Sequence, residues 1–230
     1  MPPLLENPRY ERKFLPQGLV LADVLALVRC HPGLFREVYP PRYVNNIYFD
    51  TPSRKDYHDH VSGLPNRSKM RVRWYGPAGG RVARPVLEQK IKRGYVGGKL
   101  AHGLPDFCLN GKGFRNPVIT AFRSAPLPAH VQEKLCQVQP ALFNRYRRYY
   151  YLSGDGRFRL TVDAELQFGS ASGNDGLHRL ISKPSVLVVE LKFATESADE
   201  ADRVTNDLRF RLSRCSKYVL GMENLASAAF

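Results

Sequence analysis

The stretch VLEQKIK, residues 86–92, decides how this chain is read. As a strand it places Val86, Glu88, Lys90 and Lys92 on one face and Leu87, Gln89 and Ile91 on the other, because side chains alternate across the pleat. A single strand of this kind means only a solvated polar face. The pattern recurs, however, with both signs of charge on the polar side. Segment 9–13 aligns Arg9, Glu11 and Lys13, and 69–73 aligns Lys69, Arg71 and Arg73 against Met70, Val72 and Trp74. In 157–165 the polar set is Arg157, Arg159, Thr161, Asp163 and Glu165; in 188–192 Glu190 and Lys192 share a face with Val188. Segment 142–151 alternates less cleanly, with Tyr146, Arg148 and Tyr150 on one face and Arg145 and Arg147 on the other.

Turn signals divide the chain around these strands. Strands are expected over 5–15, 42–51, 69–76, 84–94, 142–153, 157–169 and 184–194, helices over 20–30, near 129–137 and in ADEADRVTNDLRFRLSR, and a short helix and turn after residue 51. PAGG separates two of the strands and SGDG closes a hairpin between two others. The Gly- and Pro-rich region 95–140 yields little more. With no internal repeat and no long linker, residues 1–230 are expected to form one mainly antiparallel β domain with helices on its outside.

Bulk composition narrows the partner. The chain is 43% hydrophobic and 24% charged, which fits a globular domain. Its 35 Lys and Arg against 21 Asp and Glu give a net charge of +14, which calls for a polyanion: nucleic acid, an anionic membrane or a phosphate-rich small molecule. Cys30, Cys108, Cys136 and Cys215 are widely spaced and form no CxxC pair, so reduced, buried thiols in a cytoplasmic protein are expected. The N-terminus has no signal-peptide run, and no window approaches the roughly 18 apolar residues of a membrane span.

Two architectures accommodate the charged faces. One is a sandwich whose polar faces are solvated. The other is a closed, antiparallel, eight-stranded tunnel barrel, mainly β with helices packed outside, in which the charged faces point inward. A closed sheet of about eight strands has room for side chains and one small ligand. Cations crowded into such a lumen need a counter-anion, since unpaired buried charges cost several kcal/mol each. Phosphates supply it, and interspersed carboxylates can hold a divalent ion that bridges phosphate oxygens.

The segments ERKF (11–14), YVNNIYFDT (43–51), KMRVRWYG (69–76), LEQKIKRG (87–94), YRRYYY (146–151), RLTVD (159–163), VELKF (189–193) and SKYVLG (216–221) occur in the order found in VTC domains. The chain resembles these polyphosphate polymerase domains of the triphosphate tunnel metalloenzyme superfamily from about residue 6 to 222. The resemblance implies transfer of the γ-phosphate of ATP to a growing polyphosphate chain, with Mn²⁺ or Mg²⁺. It implies phosphate contacts from Lys13, Arg71, Arg73, Lys90, Arg148, Arg159 and Lys217. Tyr146, Ser216, Arg214 and Lys192 would add substrate contacts. Glu190 would hold the metal, with Glu88 or Glu11 as further carboxylates. ATP, polyphosphate, pyrophosphate and phosphate are the implied partners, without nucleic acid.

The sequence also departs from the family pattern. The superfamily's Glu-x-Glu-x-Lys opening stands here as Arg9, Glu11, Lys13, which favours a polymerase over a hydrolase. Arg214 replaces a lysine of the eukaryotic domains. Neither an SPX domain nor a membrane helix is expected beside the domain. Two other functions stay open: a metal-dependent tripolyphosphatase using the same tunnel, and a non-catalytic polyphosphate or RNA binder.

Three further motifs are read as structural. The histidines of HDH (58–60) diverge on a helix and read as solvated. RGYVGGK (93–99) lacks the Walker pattern and reads as a flexible turn, although Lys99 could reach a phosphate. The tyrosines 149–151 could stack bases but read as packing under helices.

Overall fold

Period-two alternation gives the chain its strands, and the computed structural model describes residues 9–94, 96–110, 113–172, 177 and 179–228. The elements are β1 (Arg9–Phe14), α1 (Leu21–Arg29), β2 (Arg36–Asp50), α2 (Lys55–Val61), β3 (Arg67–Tyr75), β4 (Gly80–Val82), β5 (Val86–Arg93), β6 (Val96–Gly103), β7 (Phe107–Leu109), α3 (Arg115–Arg123), α4 (Ala129–Cys136), β8 (Gln139–Leu152), β9 (Arg159–Ser170), β10 (Ile181–Lys183), β11 (Val188–Ala194), α5 (Ala198–Leu208) and α6 (Lys217–Ser227). The main sheet has nine antiparallel strands in the order β1-β11-β9-β8-β2-β3-β5-β6, with β10 beside β9, and β4 and β7 form a small second sheet.

The expected closed eight-stranded barrel is not what forms. The sheet curls until its edge strands β1 and β6 approach each other, but they share no ladder. The free edge of β1 is already engaged: Ser213 N donates to Lys13 O at 2.8 Å, and Phe14 forms a bridge with Leu212. A strand edge filled by another segment cannot also pair with β6. Side chains span the seam instead, through an ion pair of 2.9 Å between Glu11 on β1 and Lys90 on β5.

One face of the curled sheet is apolar and lies under helices. Phe14, Leu160, Val162, Val189 and Leu191 pack with Val24 and Val28 of α1 and with Ala201 and Leu208 of α5. Ile47, Met70, Val72, Trp74, Leu87 and Phe143 pack with Val118 of α3 and Val131 of α4. Fully burying such a side chain contributes about 1.5–3 kcal/mol, so this face holds the curl in place.

The last helix departs from the expectation that helices lie outside. A further helix, α6, which is not among the helices expected from the sequence, sits on the concave, polar side. Its Tyr218 and Met222 pack on Val44, Tyr48, Leu142 and Phe168, which share that face. Asp50, fully buried at the end of β2, ties the arrangement together. Its carboxylate accepts hydrogen bonds from Asp56 N (2.9 Å) and Tyr57 N (3.0 Å) in the first turn of α2, and from the Tyr218 hydroxyl (2.6 Å). Negative charge at a helix N-terminus is favourable, so one residue fixes α2 and α6 together.

Strict alternation also fails at two positions assigned to the inner face. Between Arg145 and Arg147 of β8 the register with β9 shifts, and Glu165 there has a φ of +53°. This β-bulge sets two residues of β9 against one of β8 and reverses the faces beyond it. Glu165 therefore turns outward, where its carboxylate accepts from Tyr43 Oη and lies 3.5 Å from Arg147. Arg157 falls in the β8–β9 turn and pairs with Asp155 (2.8 Å) and with Glu200 of α5.

The thiols also differ from expectation. Cys30, Cys108 and Cys136 are exposed and Cys215 is half-buried, all unpaired. Region 95–140 contains β6, β7, α3 and α4, while Tyr95, Gly111 and Lys112, and residues 173–176 of the loop GSASGNDG, lie outside the described residues. Among the described residues no helix is long and apolar enough to cross a membrane.

The closeness of α6 to the sheet is testable. A Cβ at Gly221 would stand 2.5 Å from Leu142 Cδ2 and 2.6 Å from Phe168 Cδ1, both fully buried side chains. Gly221→Val should therefore lower stability by about 1–3 kcal/mol through overpacking, read as a drop in denaturant midpoint with unchanged m-value.

Candidate functional site

The polar faces converge on the concave side into two charged centres. The first is built from β1, β11, β9, β8, β5 and the start of α6. Lys13 lies opposite Glu190 in the β1–β11 ladder, and Glu11 opposite Lys192. Lys13 Nζ is 2.9 Å from Glu11 Oε1 and 3.5 Å from Glu190 Oε1, so one ammonium bridges both carboxylates. Lys192 Nζ bridges them from the other side, at 3.9 Å from Glu11 and 3.5 Å from Glu190. Arg148 forks onto Asp163 at 2.5 and 2.6 Å and reaches Glu190 at 3.7 Å. Lys217, in the first turn of α6, lies 2.6 Å from Asp163 and 3.4 Å from Glu190.

The second centre is built from β3, β5 and β6 around Glu88. Arg71 binds its Oε2 at 2.6 Å, Lys99 binds Oε1 at 2.9 Å, and Arg73 stands at 3.7 Å. Uncharged groups join the two centres. Arg73 donates to Asn46 Oδ1 (2.9 Å) and to the Tyr146 hydroxyl (3.2 Å), and Arg71 to the Tyr48 hydroxyl (3.2 Å). Asn46 donates in turn to Asn144. Deeper toward α6, Lys69 Nζ donates to Ser216 Oγ at 2.7 Å and has no carboxylate within 4.0 Å among the described residues.

The charges do not balance. In the first centre Lys13, Lys90, Arg148, Lys192 and Lys217 face Glu11, Asp163 and Glu190. In the second, Arg71, Arg73 and Lys99 face Glu88 alone, and Lys69 stands apart. Among the described residues the concave face therefore carries a surplus of cations over carboxylates.

Protonation follows from this crowding. Burial alone would raise the carboxyls, but Lys13, Lys90 and Lys192 hold Glu11 well below the usual carboxylate range. Lys217, Lys13, Lys192 and Arg148 overcome burial at Glu190, and Arg71, Arg73 and Lys99 do so at Glu88. Lys69 behaves oppositely. Burial, then Lys13, Arg67 and Lys90, lower it to about 7. His60 on α2, lowered to about 3 by burial, Lys69 and Arg67, is a half-buried neutral ring with an unpartnered Nδ1, not the solvated residue expected.

The structure thus brings Lys13, Arg71, Arg73, Lys90, Arg148, Lys192, Lys217, Tyr146, Ser216, Glu11, Glu88 and Glu190 onto one face. Two expected residues lie at the exposed rim of this face, Arg159 directly opposite Lys192 in the β9–β11 ladder. Arg159 is exposed at the end of β9, and Arg214 is exposed beside Arg67 and Lys92, whose pKa values burial and these neighbouring cations lower. Glu88 is separated from Glu11 and Glu190 by its own arginine and lysine partners. Asp163, Lys69 and Asn46 are the residues that sequence reasoning left without a role. The first two already faced inward by alternation, which was the available signal. Lys99 lies in β6 and binds Glu88, not in a turn.

Residues 36–226 match the VTC domain signature, a span that leaves out β1 with Glu11 and Lys13. No curated protein matches the chain. Solved structures that share its fold include the PH1819 protein of Pyrococcus horikoshii OT3, at 14% identity over 94% of this chain and 99% of that one with a TM-score of 0.53, and a protein of Vibrio parahaemolyticus described as a candidate adenylate cyclase, at 13% identity over 93% and 98% with a TM-score of 0.51. With its signature matched over most of the length and its strands curled around an alternating charged face, the chain belongs to the VTC domain family.

Proposed function

We propose that the chain transfers the γ-phosphoryl group of ATP to the end of a polyphosphate chain laid along the concave face. The cationic surplus around Glu11 and Glu190 carries this reading. It is a site where cations outnumber acids and where carboxylates suited to a hard cation are already held. In phosphoryl transfer the protein's work is positioning and charge neutralisation. Arg71 and Arg73 lie about 6.6–6.8 Å apart along β3 by strand rise, a spacing on which successive phosphates of one chain can be held. Arg148, Lys217 and Lys13 surround the Glu190 carboxylate and would steady the transferring group. Lys69 and Ser216 extend the contacts toward α6. VTC domain membership and the basic face support this reading.

The family implies a divalent ion, and the carboxylates of the first centre fit one. Among the described residues no three His, Cys, Asp or Glu side chains are grouped closely enough to cage an ion. Glu11 and Glu190, both anionic and bridged by Lys13, supply two carboxylates. That fits a Mg²⁺ or Mn²⁺ ion whose remaining ligands are phosphate oxygens and water. Such an ion would neutralise charge on the phosphoryl group. Glu88, saturated by Arg71 and Lys99, is not part of this pair.

Product analysis tests the proposal. Incubation with ATP and Mn²⁺ should give long polyphosphate on a gel, whereas release of orthophosphate alone would make the activity hydrolytic. Tripolyphosphate at about 100 times its Kd should stabilise the fold by roughly 2.7 kcal/mol. It should raise the melting temperature more than orthophosphate does at equal ionic strength.

Glu190→Gln should separate catalysis from binding. Removing this charge leaves Lys13, Lys192, Lys217 and Arg148 less compensated, and breaking a buried pair costs about 3–5 kcal/mol. The ligand-free variant should melt lower and gain more from tripolyphosphate than the parent does. Its ATP turnover should fall by about two orders of magnitude or more. Normal turnover would exclude Glu190 from the reaction.

The pH dependence of binding isolates Lys69. With its pKa lowered to about 7, it is mostly neutral at pH 8, and a bound polyanion favours the ammonium. Binding should therefore take up a proton above pH 7. Tripolyphosphate affinity should fall from pH 6 to 8 more steeply in the parent than in Lys69→Arg, which keeps its charge throughout. Identical slopes would remove Lys69 from the site.

A further inference from the structure

The structure assigns a nucleobase-stacking site to Tyr39, Tyr75 and Tyr150 around Arg42, at the mouth of the concave face where β2, β3 and β8 meet; this rests on the triphosphate reading above. The Arg42 guanidinium carbon lies 4.2 Å from the ring centre of Tyr75, 5.0 Å from that of Tyr150 and 5.7 Å from that of Tyr39. Its Nε donates to the Tyr150 hydroxyl at 3.1 Å, and Tyr39 meets Tyr150 edge to face with ring centres 5.8 Å apart. Arg42 has no carboxylate within 4.0 Å among the described residues, so the rings are its only charge-stabilising partners there.

Aromatic pairs across strands also stabilise a sheet end, but two features point to a ligand. The first is exposure. Tyr39 is 57% and Tyr75 45% exposed, apolar surface held rigid and open by the arginine. The second is placement. Tyr75 lies two residues beyond Arg73 on the same face of β3, Tyr150 two beyond Arg148 on β8, and Arg42 opposite Arg148 in the β2–β8 ladder. Tyr75 and Tyr150 are thus each one strand repeat, about 6.6–6.8 Å, from an arginine of the phosphate site, and Tyr39 lies opposite Tyr150 in the β2–β8 ladder. A nucleoside triphosphate with its phosphates along Arg73 and Arg148 leads its base outward onto these rings. Bases stack on tyrosine faces and on guanidinium planes without hydrogen-bond readout, so the site takes a nucleobase of any sequence identity. The tyrosine run divides accordingly: Tyr149 and Tyr151 are buried in the core under α1 and α5, and Tyr150 alone turns to the mouth. One cluster beside a triphosphate site suits a single nucleotide better than a nucleic-acid strand, which needs successive platforms.

The test compares ATP, ribose 5-triphosphate, tripolyphosphate and a single-stranded oligonucleotide by calorimetry without metal. The parent should bind ATP at least about fivefold more tightly than ribose 5-triphosphate, which has the same phosphates and no base. Tyr75→Ala and the more exposed Tyr39→Ala should close that gap and leave tripolyphosphate within twofold of the parent. Equal affinity of ATP and ribose 5-triphosphate for the parent would overturn the assignment without reference to any variant. So would variants that weaken tripolyphosphate and ATP alike, or an oligonucleotide that binds these rings more tightly than ATP. If tripolyphosphate itself does not bind, the triphosphate reading and the stacking site fall together.

Discussion

The constraint on which the structure depends is the gathering of like charges on one face of a sheet. Cations that share a desolvated face repel, and each must meet a carboxylate, a hydroxyl or water. The fold answers with interleaved acids: Asp163 is held by Arg148 and Lys217, Glu190 by four cations, and Glu88 by three. Such pairs need not add stability, since desolvation offsets much of the attraction. The apolar side under α1, α3, α4 and α5 supplies the stability instead. That division explains why the inner face can hold more cations than acids. It is supported from behind.

The open seam belongs to the same design. A closed barrel removes strand edges by pairing them. Here the segment through Leu212 and Ser213 takes the edge of β1 and then runs directly into Cys215, Ser216 and Lys217. Lys13 Nζ donates to the Cys215 carbonyl at 3.0 Å. The peptide groups that keep the barrel open are thus continuous with those that bring Ser216 and Lys217 to the phosphate site. Gly221 lets α6 lie close enough for this, because a side chain there would meet Leu142 and Phe168.

Period two made much of this readable in advance. The inward placement of Glu11, Lys13, Arg71, Arg73, Glu88, Lys90, Asp163, Glu190 and Lys192 follows from alternation within single strands, which is a local property. What was not readable is non-local or hinges on one residue. The bulge at Glu165 adds a single position and reverses every face beyond it, a change no composition announces. Glycines in VGGKLAHG masked β6, whose strand is set by its pairing with β5. Helix α6 begins straight after Ser216 with no acidic first turn, and tertiary packing on the inner face decides it. Separation of Glu88 from Glu11 and Glu190 depends on how far the sheet curls. Failure to close depends on Ser213, about two hundred residues along the chain from its partner Lys13.

Glu190 shows how structure and proposed activity are linked. In the ligand-free protein its carboxylate serves as counter-ion to Lys13, Lys192, Lys217 and Arg148. Under the proposed function a polyphosphate would supply negative charge to the same four cations. Their hold on the carboxylate would then relax, and its oxygens would become available to a hard cation shared with the phosphates. Equilibrium linkage is reciprocal, so a cation bound there must strengthen the polyanion's hold to the same degree. A surplus of cations with acids set among them is therefore more than a basic patch. It couples two ligands of opposite charge through carboxylates that neither the fold nor the polyanion can leave unpaired.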